Sequence, residues 1–184
     1  MKNKNIIVGI SGGIAAYKAC EIVSYLVREG ANVDVVMTQN ATQFITPLTL
    51  ETLSKNKVRF CMFDNKDHTQ VEHIYLAQKA DLFLVVPATA NLLGKVANGL
   101  ADDMLSTTIM ATRAPVVFAP AMNNNMYTNK IVQNNINKLK DYGYYFVEPQ
   151  EGNLACGYKA VGKLAKKEII IEYIKNIMGE KNEK

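Results

Sequence analysis

Leu82-Phe-Leu-Val-Val86 is a run of apolar residues with no polar alternation, bounded by Asp81 before it and Pro87 after it. A strand with one face in water alternates with a period of two, and a helix needs more residues than this run contains. The pattern therefore predicts a strand buried on both faces, as found in parallel sheets covered by helices on each side. Ala114–Ala119 is read the same way, and Ile6–Ile10, Val33–Met37, Tyr144–Val147 and Val58–Met62 as further strands. Helical rhythm fills the intervals: Ile14 to Glu29 ended by Gly30, and Ala41 to Ser54 with a second segment from Pro47. It continues in a short helix opened by His73, a helix through Val96, Met104 to Thr112, Tyr127 to Tyr142 ended by Gly143, and a closing helix from Glu168 to Met178. Strands alternating with helices predict a single α/β domain, a doubly wound (Rossmann-like or flavodoxin-like) parallel sheet flanked by helices. That domain is expected over residues 1–178, with 179–184 as a solvated tail.

Composition narrows the functional classes. The 184 residues are 48% apolar and carry a net charge of +4, enough apolar material for one core and too weak a charge for a nucleic-acid surface. No apolar run reaches membrane-spanning length, so a cytoplasmic protein without membrane contact is expected. The three cysteines, Cys20, Cys61 and Cys156, are too scattered for a disulfide framework, and Cys20 and Cys61 read as packing residues. His68 and His73 miss the i,i+4 spacing of a zinc pair, and no metal site is expected.

In a doubly wound sheet, ligands sit outside the carboxyl ends of the strands. Those ends are Ser11–Gly13, Thr38–Asn40, Pro87–Asn91 and Pro120–Asn125. Gly9-Ile-Ser-Gly-Gly-Ile14 lacks the GxGxxG spacing and no GK[ST] follows it, so it is neither a dinucleotide fingerprint nor a P-loop. Ser11, Gly12 and Gly13 instead offer amides at a helix start, an anion site, or else simply a tight turn. Asn123, Asn124 and Asn125 are read either as helix-capping loop residues or as ligand-binding amides. Asp102 and Asp103 are read as N-caps of the following helix in preference to paired acids. Glu148 to Lys163 is a glycine-rich stretch read as a loop and a candidate lid. Together these groups suit a phosphorylated, planar, polar ligand.

Five motifs in order resemble the homo-oligomeric flavin-containing cysteine decarboxylases. They are Ser11-Gly-Gly-Ile-Ala-Ala-Tyr-Lys18, His73-Ile74, Pro87-Ala-Thr-Ala-Asn91, Gly94-Lys-Val-Ala-Asn-Gly-Leu-Ala-Asp-Asp103 and Pro120-Ala-Met-Asn-Asn-Asn-Met-Tyr127. The resemblance runs from Ile6 to beyond Gly157, and Leu154-Ala-Cys-Gly157 is similar to the phosphopantothenoylcysteine decarboxylase branch. Tyr127 stands where the family's PxMNxxMW pattern has tryptophan.

The resemblance implies non-covalent FMN, with Gly12, Gly13, Ile14 and Thr38 at its phosphate and ribityl end. It implies Phe44 over the isoalloxazine, where core packing is the competing reading, and Thr89, Ala90, Asn91 and Ala121 along the ring edge. Asn123, Met126, Ala155 and Gly157 would contact the substrate. It further implies oxidation of the cysteine CH₂–SH to a thioaldehyde, which places C=S where a β-keto acid has C=O. Loss of CO₂ then gives an enethiol, and reduction of that enethiol gives the thiol. In that scheme His73 is the base, Asn123 holds the substrate carboxylate or amide, and Cys156 supplies the final proton. For His73 a local helix-start hydrogen bond is the alternative. The implied partners are the small-molecule substrate phosphopantothenoylcysteine, further copies of the chain in a homotrimer or dodecamer with sites between subunits, and a phosphopantothenate–cysteine ligase. Two other readings stay open: a lantibiotic-type peptidyl-cysteine decarboxylase, and a non-catalytic flavin-binding regulatory subunit.

Overall fold

The computed structural model describes residues 1–63, 71–153 and 159–179. Strand β1 (Asn5–Ile10) leads through a 3₁₀ turn (Ile14–Lys18) into helix α1 (Ala19–Arg28), and β2 (Asn32–Met37) follows. A second 3₁₀ turn (Gln39–Gln43) and α2 (Pro47–Ser54) come next, then α3 (Glu72–Lys79), β3 (Leu82–Ala88), α4 (Ala90–Ala97), α5 (Met104–Ala111) and β4 (Val116–Pro120). The chain continues through α6 (Asn124–Tyr127), α7 (Lys130–Asp141), β5 (Tyr145–Phe146), β6 (Gln150–Asn153), β7 (Lys159–Lys163) and α8 (Lys167–Ile177). Strands β1 to β5 form one parallel sheet in the order β2-β1-β3-β4-β5, the flavodoxin-like winding.

Both faces of the sheet are packed with apolar side chains, interrupted in β2 by the buried Asp34. Ile6, Val8 and Ile10, with Val33, Val35, Leu84 and Val86, pack against Ile22, Val23 and Leu26 of α1 and Ile170, Ile171 and Ile174 of α8. On the opposite face Ile7, Val36, Phe83, Val85 and Phe118 meet Leu92, Leu93 and Val96 of α4, Leu105 and Ile109 of α5, and Ile136 and Leu139 of α7. The period of two divides each strand between two cores.

Three sequence expectations need correction. The segment read as a strand at Val58–Met62 makes only an isolated bridge, Arg59 to Val36, along the open edge of β2. There the Arg59 guanidinium reaches Asp34, which is 2% exposed, at 3.2 Å, and Lys79 closes on the other carboxylate oxygen at 2.5 Å. The stretch from Glu148 to Lys163 is not an unstructured loop, because β6 and β7 pair antiparallel within it. Cys61 is exposed rather than packed, whereas Cys20 is half-buried, and that burial pushes its thiol pKa up. The expected tail lies outside the described residues except for Gly179. Among the described residues no helix is long and apolar enough to cross a membrane.

Candidate active site

The order β2-β1-β3 reverses the direction of winding between β1 and β3, which opens a crevice at their carboxyl ends. A cavity of about 990 Å³ lies there, walled by Ser11 to Ala15, Thr38 to Asn40, Thr89 to Leu92, Ala121 to Asn123, Met126, and Gly162 to Leu164. All four strand-end loops singled out in the sequence contribute to it.

Ser11 locks the first loop to the third. Its amide and its hydroxyl both donate to the Pro87 carbonyl, at 3.3 and 2.7 Å, while the hydroxyl oxygen accepts from the Thr89 amide at 2.9 Å. The Ser11 amide is therefore committed, which corrects the expectation that it faces a ligand. Gly12 is tight for a different reason: a Cβ there would sit 2.5 Å from Asn40 Cβ and 2.9 Å from its carbonyl carbon. The absence of a side chain lets the β1 and β2 loops close on each other. The first bond of the 3₁₀ turn runs from the Ala16 amide to the Gly13 carbonyl, so the Ile14 and Ala15 amides have no acceptor inside the turn. Thr38 caps the second turn, its hydroxyl oxygen accepting from the Ala41 amide at 3.2 Å. Thr89 caps α4 in the same manner, through the Leu92 amide at 3.4 Å.

On the far wall Asn123 caps α6, its Oδ1 accepting from the Asn125 amide at 2.8 Å, so the Nδ2 edge is the donor end of the amide. The adjacent Met122 amide donates to the Gly162 carbonyl at 3.0 Å. Gly162 has φ +134°, and a Cβ there would strike the Met122 oxygen at 2.2 Å, so only glycine lets the hairpin hook onto this turn.

Several wall residues were not identified from sequence. Lys18, Lys95 and Lys163 reach the wall, and Asp103 joins them. Lys95 is held by Asp102 at 2.7 Å and Asp103 at 2.9 Å, and those two bonds push its pKa up. Burial pushes the Asp103 carboxyl up, but the Ser106 amide and the Lys95 ammonium outweigh it and hold the group below its ordinary range. Asp103 is also the N-cap of α5 in a full capping box, as its sequence position predicts.

The structure places other expected site residues elsewhere. Gly12, Gly13, Ile14, Thr38, Thr89, Ala90, Asn91, Ala121, Asn123 and Met126 meet at the cavity. Phe44 follows the second 3₁₀ turn, is 47% exposed and does not line the cavity of its own chain. His73 sits in the first turn of α3, also off that wall. Ala155, Cys156 and Gly157 lie outside the described residues. Among the described residues no group of acidic, histidine or cysteine side chains could hold a metal ion. The arrangement offers amide donors and hydroxyls at one end, small side chains in the middle and an amide at the other, which suits an elongated anionic ligand with a planar body.

Comparison with known proteins agrees with this geometry. The family model described as Flavoprotein matches residues 1–179. The chain is 55% identical over 181 residues to the coenzyme A biosynthesis bifunctional protein CoaBC of Borreliella burgdorferi, covering 98% of this chain and 46% of that protein. The chain thus spans about half the length of that bifunctional relative. It is 45% identical over 173 residues to a probable phosphopantothenoylcysteine decarboxylase of Streptococcus mutans, covering 93% of this chain and 97% of the other. A solved mutant of PPC decarboxylase, complexed with pantothenoylaminoethenethiol, superposes with a TM-score of 0.86 at 28% identity over 97% of this chain and 100% of that one. By the family match along nearly its whole length and by its likeness to a relative of the same size, this chain belongs to the Flavoprotein family.

Proposed function

We propose that this protein is an FMN-dependent decarboxylase that converts 4'-phosphopantothenoylcysteine to 4'-phosphopantetheine in coenzyme A biosynthesis. The observation that carries the reading is the cavity at the β1/β3 switch point, which joins an anion-binding turn at one end to Asn123 at the other. The names of the relatives supply the substrate class. The residues fit the flavin: the volume is at the upper end of that used by cofactor sites, and Gly12 leaves no side chain between the two loops that would hold the phosphate end. The amides of Ile14 and Ala15 and the Thr38 hydroxyl would hold the phosphate and ribityl groups. Thr89, Ala90, Asn91 and Ala121 would line the ring edge, and Phe44 would cover the ring from the rim.

FMN held by these residues would supply the reversible two-electron chemistry that turns the substrate CH₂–SH into a C=S group, the sink for the electron pair that loss of CO₂ leaves on the neighbouring carbon. The chain's own residues bind, orient and move protons. Asn123 presents its Nδ2 donor to the substrate carboxylate. His73 removes a proton during oxidation and carboxylate loss, acting from a neighbouring copy since it does not reach the cavity of its own chain. Cys156 donates the proton that completes reduction of the enethiol. A solved relative holding an aminoethenethiol ligand supports an enethiol-stage species for this family. The greater length of the bifunctional relatives supports a ligase partner for this chain, which we take to be the phosphopantothenate–cysteine ligase.

The test is direct. The purified protein should show a flavin spectrum and, given 4'-phosphopantothenoylcysteine, release CO₂ and form 4'-phosphopantetheine. Cys156→Ser should still release CO₂ but accumulate the enethiol. A protein that refuses FMN, or one that decarboxylates only peptides ending in cysteine, overturns the reading.

A further inference from the structure

Tyr127 is where this chain departs from the PxMNxxMW pattern it otherwise resembles, and the structure shows what the phenol does there. Its ring packs at the edge of the core layer formed by α4, α5 and α7. Its hydroxyl donates to Glu148 Oε2 at 2.7 Å, and Lys140 Nζ meets the other oxygen, Oε1, at 2.6 Å. Tyr127 does not line the cavity, but Asn123 and Met126, on either side of the same short turn, do. The backbone ties the turn together: the Tyr127 amide donates to the Asn123 carbonyl at 2.9 Å, and Gln133 Nε2 donates to the Tyr127 carbonyl. Glu148 stands between the end of β5 and the start of β6, at the root of the hairpin. The far arm of that hairpin is hooked by the Gly162 carbonyl to the Met122 amide. The hairpin is thus moored to the turn on both sides of Asn123, once through backbone at Met122 and once through side chains at Tyr127.

We propose that Tyr127, through its Glu148–Lys140 partners, is a positioning residue that fixes Asn123 relative to the β6–β7 hairpin and so sets substrate affinity. This rests on the decarboxylase reading above for the identity of the substrate, though not for the mooring itself. A hydrogen bond to an ionised carboxylate is stronger and more directional than a neutral one. The electrostatics keep it in that form. Burial, then the Glu148 carboxylate, push the Tyr127 pKa up to about 12, so the phenol stays a donor. Burial pushes Glu148 up, but Lys140 and Tyr127 outweigh it and hold the carboxyl below its ordinary range. A tryptophan at this position would present its donor from a larger and differently shaped ring. The carboxylate that Asn123 holds is intact while the CH₂–SH is oxidised, so it is held alike in the ground state and in the transition state of that step. With oxidation limiting turnover, misplacing Asn123 should raise KM and leave kcat nearly unchanged.

The experiment uses FMN-loaded protein and its Tyr127→Phe, Glu148→Gln and double variants. KM for 4'-phosphopantothenoylcysteine should rise about tenfold in each single variant, with kcat and FMN affinity within about twofold of wild type. The double variant should be no worse than either single one, since one interaction has been removed from its two ends. Hydrogen exchange should be faster at the Met122 amide and along the β6–β7 ladder in both variants, and unchanged in β1 and β3. Wild-type KM values, an equal loss in kcat, or additive effects would overturn the proposal. If wild-type protein does not turn over this substrate, the decarboxylase reading fails and exchange alone decides: unaltered exchange in Tyr127→Phe then removes the mooring as well.

Discussion

Gly12 and Gly13 are neighbours with the same side chain and opposite constraints. A Cβ on Gly12 would have to share space with Asn40 backbone and Cβ, neither of which can swing aside, whereas at Gly13 the nearest atom is Thr89 Cγ2 at 3.6 Å, an ordinary contact. Gly13 also has φ −159°, extended backbone that any residue adopts. Gly12→Ala should therefore push the two phosphate-end loops apart and weaken FMN binding about tenfold or more, in line with an overpacking cost of a few kcal/mol. Gly13→Ala should bind FMN within about twofold of wild type. Fluorescence titration of apoprotein with FMN reads both; equal losses would mean that the glycines serve the amides and not the spacing. At this scale the sequence was legible where the backbone carries the chemistry. The glycine turn and the asparagine cluster were visible because small or amide side chains at strand ends have few structural reasons to be there. Lys18, Lys95 and Lys163 were not, because a lysine reads as solvated surface unless the partner that bends it inward is known, and Asp102 and Asp103 lie a full loop away from Lys95.

At the scale of elements, β1, β3 and β4 were readable because their central residues are apolar throughout, as a strand buried on both faces requires, whereas β2 carries a buried Asp34 and β5 an exposed Tyr145. The β6–β7 hairpin was not, because Gln150-Glu-Gly-Asn153 and Lys159-Ala-Val-Gly-Lys163 have neither alternation nor β-branched density; they pair with each other, and Gly162 ties the pair to Met122. The two 3₁₀ turns were read as helix for want of a sequence signal that separates one from the other. Helix α5 shows the converse, a start fixed by one residue. Asp103 accepts the Ser106 amide at 2.8 Å while Ser106 returns a bond to the Asp103 amide, so Asp103→Ala should cost about 1 kcal/mol. The Asp103 carboxyl is held below its ordinary range in the folded protein. Its contribution is therefore full above the unfolded value near pH 4 and is lost as pH falls through the folded value. Thermal melts of wild type and Asp103→Ala should differ at neutral pH, begin to approach near pH 4 and converge only once pH has fallen through the lower folded value; a gap that persists beyond it would assign the cap to backbone geometry rather than to charge.

At the scale of the molecule, one chain builds the floor and two walls of a site and leaves the proposed base outside it. His73 rides on α3, whose neighbour in the second core is α5, while the cavity opens at the tips of β1 and β3. The chain shows apolar side chains to solvent at Ile14, Tyr17, Phe44 and Leu48, all within or beside the two loops proposed to hold the phosphate end. The proposed oligomer would cover this exposed apolar rim with a second copy and bring that copy's His73 to the cavity. Two measurements separate this from a self-sufficient monomer. Light scattering should give a mass of at least three copies of the 20.4 kDa chain with flavin bound. Mixing His73→Asn with Asn123→Ala protein after reversible dissociation should recover activity that neither variant has alone, because some sites then draw an intact histidine from one copy and an intact asparagine from another. A flavin-bound monomer with full activity, or a mixture as inactive as its parts, would return His73 to the role of a helix-start residue and remove the shared site.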